Sequence, residues 1–83
     1  MISLADPVYP EEAEKKGVEG TVLVRIWVDS VGTPTMALIQ KSPDHVLDES
    51  ASSAALASRF RPALLDGKPV GVWFTVPFDV RKK

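Results

Sequence analysis

The residues in this chain whose side chains could best support catalysis or metal binding are a histidine and three acids around position 45. His45 follows Asp44, and Asp48 and Glu49 come one helical turn later. A histidine among carboxylates has the donor set for a divalent metal or an acid–base pair. The same residues also suit the start of a helix, where acidic side chains cap free N–H groups and favour the positive end of the dipole. We therefore assign this cluster a structural role.

The sequence contains none of the other common catalytic patterns. The sequence has no cysteine, no Ser-His-Asp order and no phosphate-binding loop. The glycines at Gly17 and Gly20 separate a predicted helix from a predicted strand, whereas a phosphate loop opens a helix. The sequence predicts neither an enzyme nor a bound metal or cofactor.

Length and charge narrow the class of protein. The chain has 83 residues, with 10 Lys and Arg against 11 Asp and Glu and a net charge of −1. This length fits one small domain with a modest core. The cations are scattered, which argues against nucleic acid as a partner. No apolar run approaches the roughly 20 residues of a membrane span, so we expect any anchor or export signal to lie outside this chain.

The elements that position these residues follow from periodicity and turn chemistry. Val22, Val24, Ile26 and Val28 alternate along the clearest strand. Before the last strand, the sequence predicts a first helix over 9–17, which Gly17 ends. Two strands follow over 20–29 and 35–41, joined by a turn at Gly32. A second helix extends from 45 to 59 and is capped by Asp44.

The last predicted strand runs from Val70 to Val80, and it is the most informative segment. Its alternate residues form one apolar face. Pro77 lacks the N–H that an interior strand needs for its ladder, so we expect this strand at the edge of a sheet. An edge strand presents unpaired N–H and C=O groups that can capture an extended peptide.

The order of elements predicts an α+β two-layer sandwich of topology αββαβ. The first two strands form a hairpin, and the third pairs most simply beside the more apolar first strand. We therefore expect a three-stranded antiparallel sheet of order 2-1-3 with both helices on one face. The opposite face would carry Trp27 and Trp73, either as a pair that stiffens the sheet or as a docking or dimer surface.

An ordered set of residues extends along nearly the whole chain: Pro7-Val8-Tyr9-Pro10, Ala13, Gly17, Gly20, Asp29, Gly32, Ser42, Leu47-Asp48, Ala51, Phe60, Pro62-Ala63, Gly67-Lys68-Pro69-Val70 and Val76-Pro77-Phe78. Through this set, rather than through any single motif, the chain resembles the C-terminal domain of TonB energy transducers.

This resemblance implies a non-enzymatic periplasmic interaction module. Its partners would be the TonB boxes of outer-membrane transporters, such as those for siderophore or iron uptake, bound by strand addition beside the last strand. An inner-membrane helix outside this chain would anchor it and work with the ExbB and ExbD proton-channel proteins. The partner-binding residues implied are Val70, Gly71, Val72, Trp73, Phe74, Thr75 and Val76.

We expect one domain over residues 1–83, with a flexible lead-in at 1–6 and a charged tail at 81–83, excised from a longer protein. An alternative function is left open. A domain of this kind could serve another envelope assembly, in sensing, secretion or motility, or form a homodimer through its open edge.

Overall fold

The computed structural model describes residues 3–82 and has an α+β architecture. A three-stranded antiparallel sheet of order β2-β1-β5 carries two helices, and a separate two-stranded hairpin joins β3 and β4. The predicted fold class and strand order are confirmed. The elements are α1 (Glu11–Lys16), β1 (Gly20–Val28), β2 (Pro34–Lys41), a 3₁₀ turn (His45–Leu47), α2 (Asp48–Ala57), β3 (Ala63–Leu65), β4 (Lys68–Val70) and β5 (Val72–Val80).

β1 is the central strand because its alternate residues are all apolar and branched. The side chains of Val22, Val24, Ile26 and Val28 are fully buried. They pack beneath α2 together with Leu47. The opposite face of the strand stays partly open to solvent. This alternation determines which face of the sheet belongs to the core.

The predicted C-cap of α1 and the predicted cap before α2 are both present. Gly17 ends α1 in the left-handed conformation, with φ of 69°. The Asp44 carboxylate accepts from the Val46 N–H at 3.1 Å and caps the 3₁₀ turn that precedes α2. α2 itself stops at Ala57, before the predicted end at Arg59. Within the described part of the chain, neither helix has the length and apolar character to cross a bilayer.

The last strand is shorter than predicted. It begins at Val72, while Val70 belongs to β4 and pairs with Ala63 across the hairpin. The prediction of a single strand from Val70 to Val80 is therefore wrong, and the β3–β4 hairpin was not foreseen. Asp66 and Gly67 form its turn, both with positive φ, as in the tightest hairpin turns.

The residue between β4 and β5, Gly71, lies in close contact with Trp27. The indole of Trp27 lies against this backbone, and a Cβ at position 71 would stand 2.5 Å from Cζ2 of the ring. Only glycine fits under the indole without displacing it. The contact therefore requires glycine at the position between the two strands.

The first residues of the described chain run beside the segment that follows α2. Ser3 and Arg59 form a β-bridge with two hydrogen bonds of 2.8 Å. The Ala5 N–H donates to the hydroxyl of Ser58, which is only 1% exposed and donates in turn to the carbonyl of Ala54. The predicted lead-in over 1–6 is hydrogen-bonded to the body from Ser3 onward, and its first two residues lie outside the described range.

Candidate functional site

β5 forms one edge of the main sheet. It pairs with β1 in a continuous antiparallel register that extends from Gly20 opposite Val80 to Val28 opposite Val72. Among residues 3–82, no strand pairs with its other side. The edge position predicted from Pro77 is confirmed, and Pro77 lies opposite Leu23.

The two faces of β5 differ in character. Val76, Phe78 and Val80 point into the core and are buried. Thr75, Pro77 and Asp79, which alternate with them, are exposed on the opposite face. A strand with one face anchored in this way keeps its register, so its free edge is a defined template for another strand.

Trp73 makes an aromatic contact at the start of this edge. It lies opposite Trp27 in the β1–β5 register, with ring centroids 5.4 Å apart in an edge-to-face arrangement. The guanidinium carbon of Arg25 lies 4.8 Å from the centroid of the Trp73 ring. The predicted pairing of the two tryptophans is confirmed, and both kinds of contact favour one orientation of the Trp73 side chain.

The tryptophan pair belongs to a larger apolar area on the outer face of the sheet. Met36 lies opposite Trp27 on β2, and Leu38 lies opposite Arg25. These two side chains are 49% and 48% exposed. The face away from the helices thus carries apolar surface that extends from Trp73 on β5 across β1 to Met36 and Leu38 on β2.

Polar contacts hold the C-terminal end of β5. The hydroxyl of Thr21 donates to the Asp79 carboxylate at 2.7 Å, and Arg81 lies 3.3 Å from the other carboxylate oxygen. The hydrogen bond from Thr21, followed by those from Arg81, holds the pKa of Asp79 below its ordinary value. The carboxylate therefore stays ionised, and it points along the sheet to β1.

The chain after β5 is held against α1. The Lys82 ammonium lies 2.8 Å from the Glu14 carboxylate, which raises the pKa of Lys82. Nearby, the hydroxyl of Tyr9 donates to the carbonyl of Val18 at 2.6 Å. Loss of solvation around this phenol, together with the charges of Glu19 and Glu14, raises the pKa of Tyr9.

The histidine cluster has the structural geometry expected of a helix start. His45 has a side chain that is 86% exposed, and its Nδ1 atom lies 3.6 Å from the Asp44 carboxylate. The same carboxylate caps the 3₁₀ turn. Within residues 3–82, no three histidine or acidic side chains converge as a metal site would require.

The structure divides the predicted partner-binding residues between two elements. Val72, Trp73, Phe74, Thr75 and Val76 lie on β5, the first five residues of that strand. Val70 lies on β4 and Gly71 lies between the strands, so neither belongs to the free edge. The stretch of β5 that combines an open edge with the aromatic contact is therefore Val72 to Val76.

A second surface feature had no signal in the sequence. A groove of about 460 Å³ lies between the segment before α1, the start of α1 and α2. Asp6, Glu12 and Glu49 are among the residues that line it. These acids come from separate segments, so only the tertiary structure brings them together. The hairpin, by contrast, had a local signal in Asp66-Gly67.

The fold and the edge together define a class of protein, a small α+β domain whose last strand lies at an open edge of its sheet. Comparison with known proteins gives the family. The family model described as "Gram-negative bacterial TonB protein C-terminal" matches residues 5–80. The chain belongs to this TonB C-terminal family.

Two curated relatives and one solved structure agree with this assignment. Protein TonB of Vibrio cholerae is 40% identical over 72 residues, which cover 86% of this chain and 30% of that protein. Protein tonB2 of Pseudomonas aeruginosa is 38% identical over 76 residues, which cover 90% of this chain and 28% of that protein. The chain thus spans less than a third of the length of these relatives.

The solution NMR structure of the Pseudomonas aeruginosa TonB CTD superposes with a TM-score of 0.74. Sequence identity to it is 29%, and the match covers 99% of this chain and 87% of that one. The resemblance inferred from the sequence is confirmed.

Proposed function

We propose that this domain is the periplasmic, partner-binding part of a TonB-type energy transducer and is not an enzyme. It binds the TonB box of an outer-membrane transporter as an added strand beside β5. A longer protein, anchored in the inner membrane and working with ExbB and ExbD, transmits proton-motive energy through this contact. The observation that carries the proposal is the free edge of β5 in a chain of this family.

The geometry of an antiparallel ladder suggests which residues pair with the guest. Successive residues of a strand direct their N–H and C=O groups to alternate sides. Pro77 has no N–H, and a proline is tolerated where this position faces away from the ladder. If Pro77 faces the free edge, then Thr75 and Trp73 face it as well, each with one donor and one acceptor.

Pro77 also limits how far the guest strand can extend. At that position the edge offers an acceptor without a donor. Beyond it, the Asp79 side chain is engaged with Thr21. We infer that the guest pairs chiefly along Val72 to Val76. Each backbone hydrogen bond contributes about 0.5–1.5 kcal/mol net, so affinity comes from the backbone and tolerates different box sequences.

A pair of substitutions at Thr75 tests this proposal. Thr75→Pro removes one edge donor and leaves the ladder to β1 intact, as Pro77 already does. Thr75→Ala keeps the donor and removes only the side chain. Titration with a synthetic TonB-box peptide, followed by backbone amide shifts, should show affinity reduced about two- to tenfold for Thr75→Pro. Thr75→Ala should bind within about twofold of the parent chain.

Thermal unfolding of both variants gives the control. If Thr75 faces the free edge, Thr75→Pro keeps a folded state close to that of the parent chain. Unfolding of this variant would show that Thr75 faces β1, and the residue assignment would then be wrong. Unchanged affinity for Thr75→Pro, or peptide-induced shifts away from β5, would reject strand addition at this edge.

Self-pairing is the second candidate, and one observation favours it. The sheet has a free edge at β5 and, on the outer face of β2, the exposed apolar side chains of Met36 and Leu38. A homodimer, or a related envelope assembly, would cover both features. Sedimentation equilibrium over a range of concentrations separates the candidates, because a stable dimer that excludes the peptide supports self-pairing.

A further inference from the structure

The groove between the helices and the leading segment is distinct from the β5 edge. Its walls are the segment from Ala5 to Pro10, the start of α1 and the exposed side of α2. None of its lining residues belongs to β5. The Ser50 hydroxyl on α2 donates to the carbonyl of Val8, and Ser58 accepts from the Ala5 N–H. These contacts hold one wall of the groove against α2.

The interior of the groove is apolar. Val46 and Ala54, which are 9% and 5% exposed, form part of its lining together with Pro7. Val8 projects at one side with 78% of its surface exposed. A volume of about 460 Å³ lies within the usual range for ligand sites, and the exposed rim leaves the groove open to solvent.

The charged residues of the groove are all acidic. Asp6, Glu12 and Glu49 line it, and no lysine, arginine or histidine does. Other acids on α1 are neutralised, since Glu11 pairs with Lys15 and Glu14 pairs with Lys82. Across residues 3–82, no cation forms an ion pair with Glu12 or Glu49. Glu12 and Glu49 therefore place negative charge beside apolar surface in a chain whose net charge is only −1.

We propose that this groove binds a segment of a partner protein in which an arginine or lysine is flanked by apolar residues. The cation pairs with the carboxylates of Glu12 and Glu49, and the apolar side chains cover Val46 and Ala54. Small molecules favour enclosed pockets, whereas an open groove with an extended wall suits a peptide. Complementary charge selects a basic segment and speeds its encounter with the domain.

The groove site and the β5 edge are independent. They lie on different elements, so one partner can occupy both or two partners can occupy one each. Where a single partner supplies both segments, linkage raises the overall affinity beyond that of either contact.

The test uses the complete ¹⁵N-labelled chain and two matched probes. One is acetyl-Ala-Leu-Arg-Leu-Ala-amide, and the other replaces its arginine by glutamate. The arginine peptide should shift the amides of Val8, Glu49 and Ser53 and leave those of Trp73 and Thr75 unchanged. The glutamate peptide should bind more weakly, and added salt should reduce the difference between the probes.

Charge-neutral variants identify the residues responsible. Glu49→Gln should weaken arginine-peptide binding about two- to fivefold, and adding Glu12→Gln should weaken it about tenfold in total. Asp66→Asn is the matched control, because it removes the same charge in the β3–β4 turn, where Asp66 has a φ of 52° that asparagine also adopts. Its affinity for the arginine peptide should equal that of the parent chain.

Several outcomes would overturn the proposal. These are equal binding of the two probes, no binding at millimolar peptide, equal affinity of Glu49→Gln and the parent chain, and shifts confined to β5. Concentration-dependent shifts at the groove without peptide would assign it to self-association instead. None of these results bears on TonB-box binding, which is read from the β5 amides.

Discussion

At the residue scale, Trp73 joins the free edge of the sheet to its outer face. Its backbone belongs to β5, while its ring contacts Trp27 and lies beneath the Arg25 guanidinium. A guest strand added beside β5 would place side chains directly next to this ring. Trp27 shares the aromatic pair but lies on the central strand, one strand further from any guest.

This difference predicts distinct effects for two alanine substitutions. Trp73→Ala and Trp27→Ala both lose the edge-to-face contact, which contributes about 0.5–1.5 kcal/mol to stability. Trp73→Ala should also reduce TonB-box peptide affinity about five- to tenfold. Trp27→Ala should change affinity less than twofold. Isothermal titration and thermal unfolding measure the two quantities, and unchanged affinity for Trp73→Ala would contradict this role.

At the element scale, the junction of β4 and β5 decides where the functional edge begins. The alternation of apolar residues continues across this junction, so a single strand was the natural prediction. The β1–β5 ladder ends at the pair Val28 and Val72, and the Trp27 indole covers the backbone of Gly71 just before it. The free edge therefore starts at Val72.

Substitutions at two glycines distinguish the steric effect of the Trp27 contact from the strain of a positive φ. Gly71→Ala places a Cβ 2.5 Å from the Trp27 ring and should cost about 1–3 kcal/mol of unfolding free energy. It should also change the near-ultraviolet circular dichroism of the tryptophan pair. Gly67→Ala meets no atom within 4 Å but has a φ of 79°, so it should cost about 1–2 kcal/mol. An unchanged tryptophan signal in Gly71→Ala would show that the ring does not constrain this junction.

At the scale of the whole molecule, one small core supports both candidate surfaces. A domain of 83 residues is stable by only about 4–12 kcal/mol. Fully buried side chains such as Leu47 therefore contribute a large fraction of the total. By contrast, the β3–β4 hairpin carries Leu64 and Leu65 with 67% and 64% exposure.

Alanine substitutions at Leu47 and Leu64 should lower the free energy of unfolding, measured in urea, by very different amounts. Leu47→Ala empties a fully buried position and should cost about 2–5 kcal/mol. Leu64→Ala makes the same chemical change at an exposed position and should cost about 0.5 kcal/mol or less. Comparable losses for the two variants would mean that the hairpin is packed more tightly than its exposure indicates.

Much of the fold of this protein could be predicted from local sequence chemistry. The alternation in β1, the Asp44 cap and the left-handed Gly17 each depend on neighbours within a few residues. Pro77 indicated an edge because a missing N–H is a property of the residue itself. These features led to the correct fold class and to the edge that carries the candidate site.

The tertiary structure alone decided where that edge begins and what else the surface offers. The free edge begins at Val72 because β1 ends at its partner Val28, and the indole of Trp27, distant in sequence, leaves room only for glycine at position 71. The acidic groove exists because separate segments bring Asp6, Glu12 and Glu49 together. Such features depend on contacts between residues remote in sequence, whereas periodicity and turn chemistry report only on neighbours along the chain.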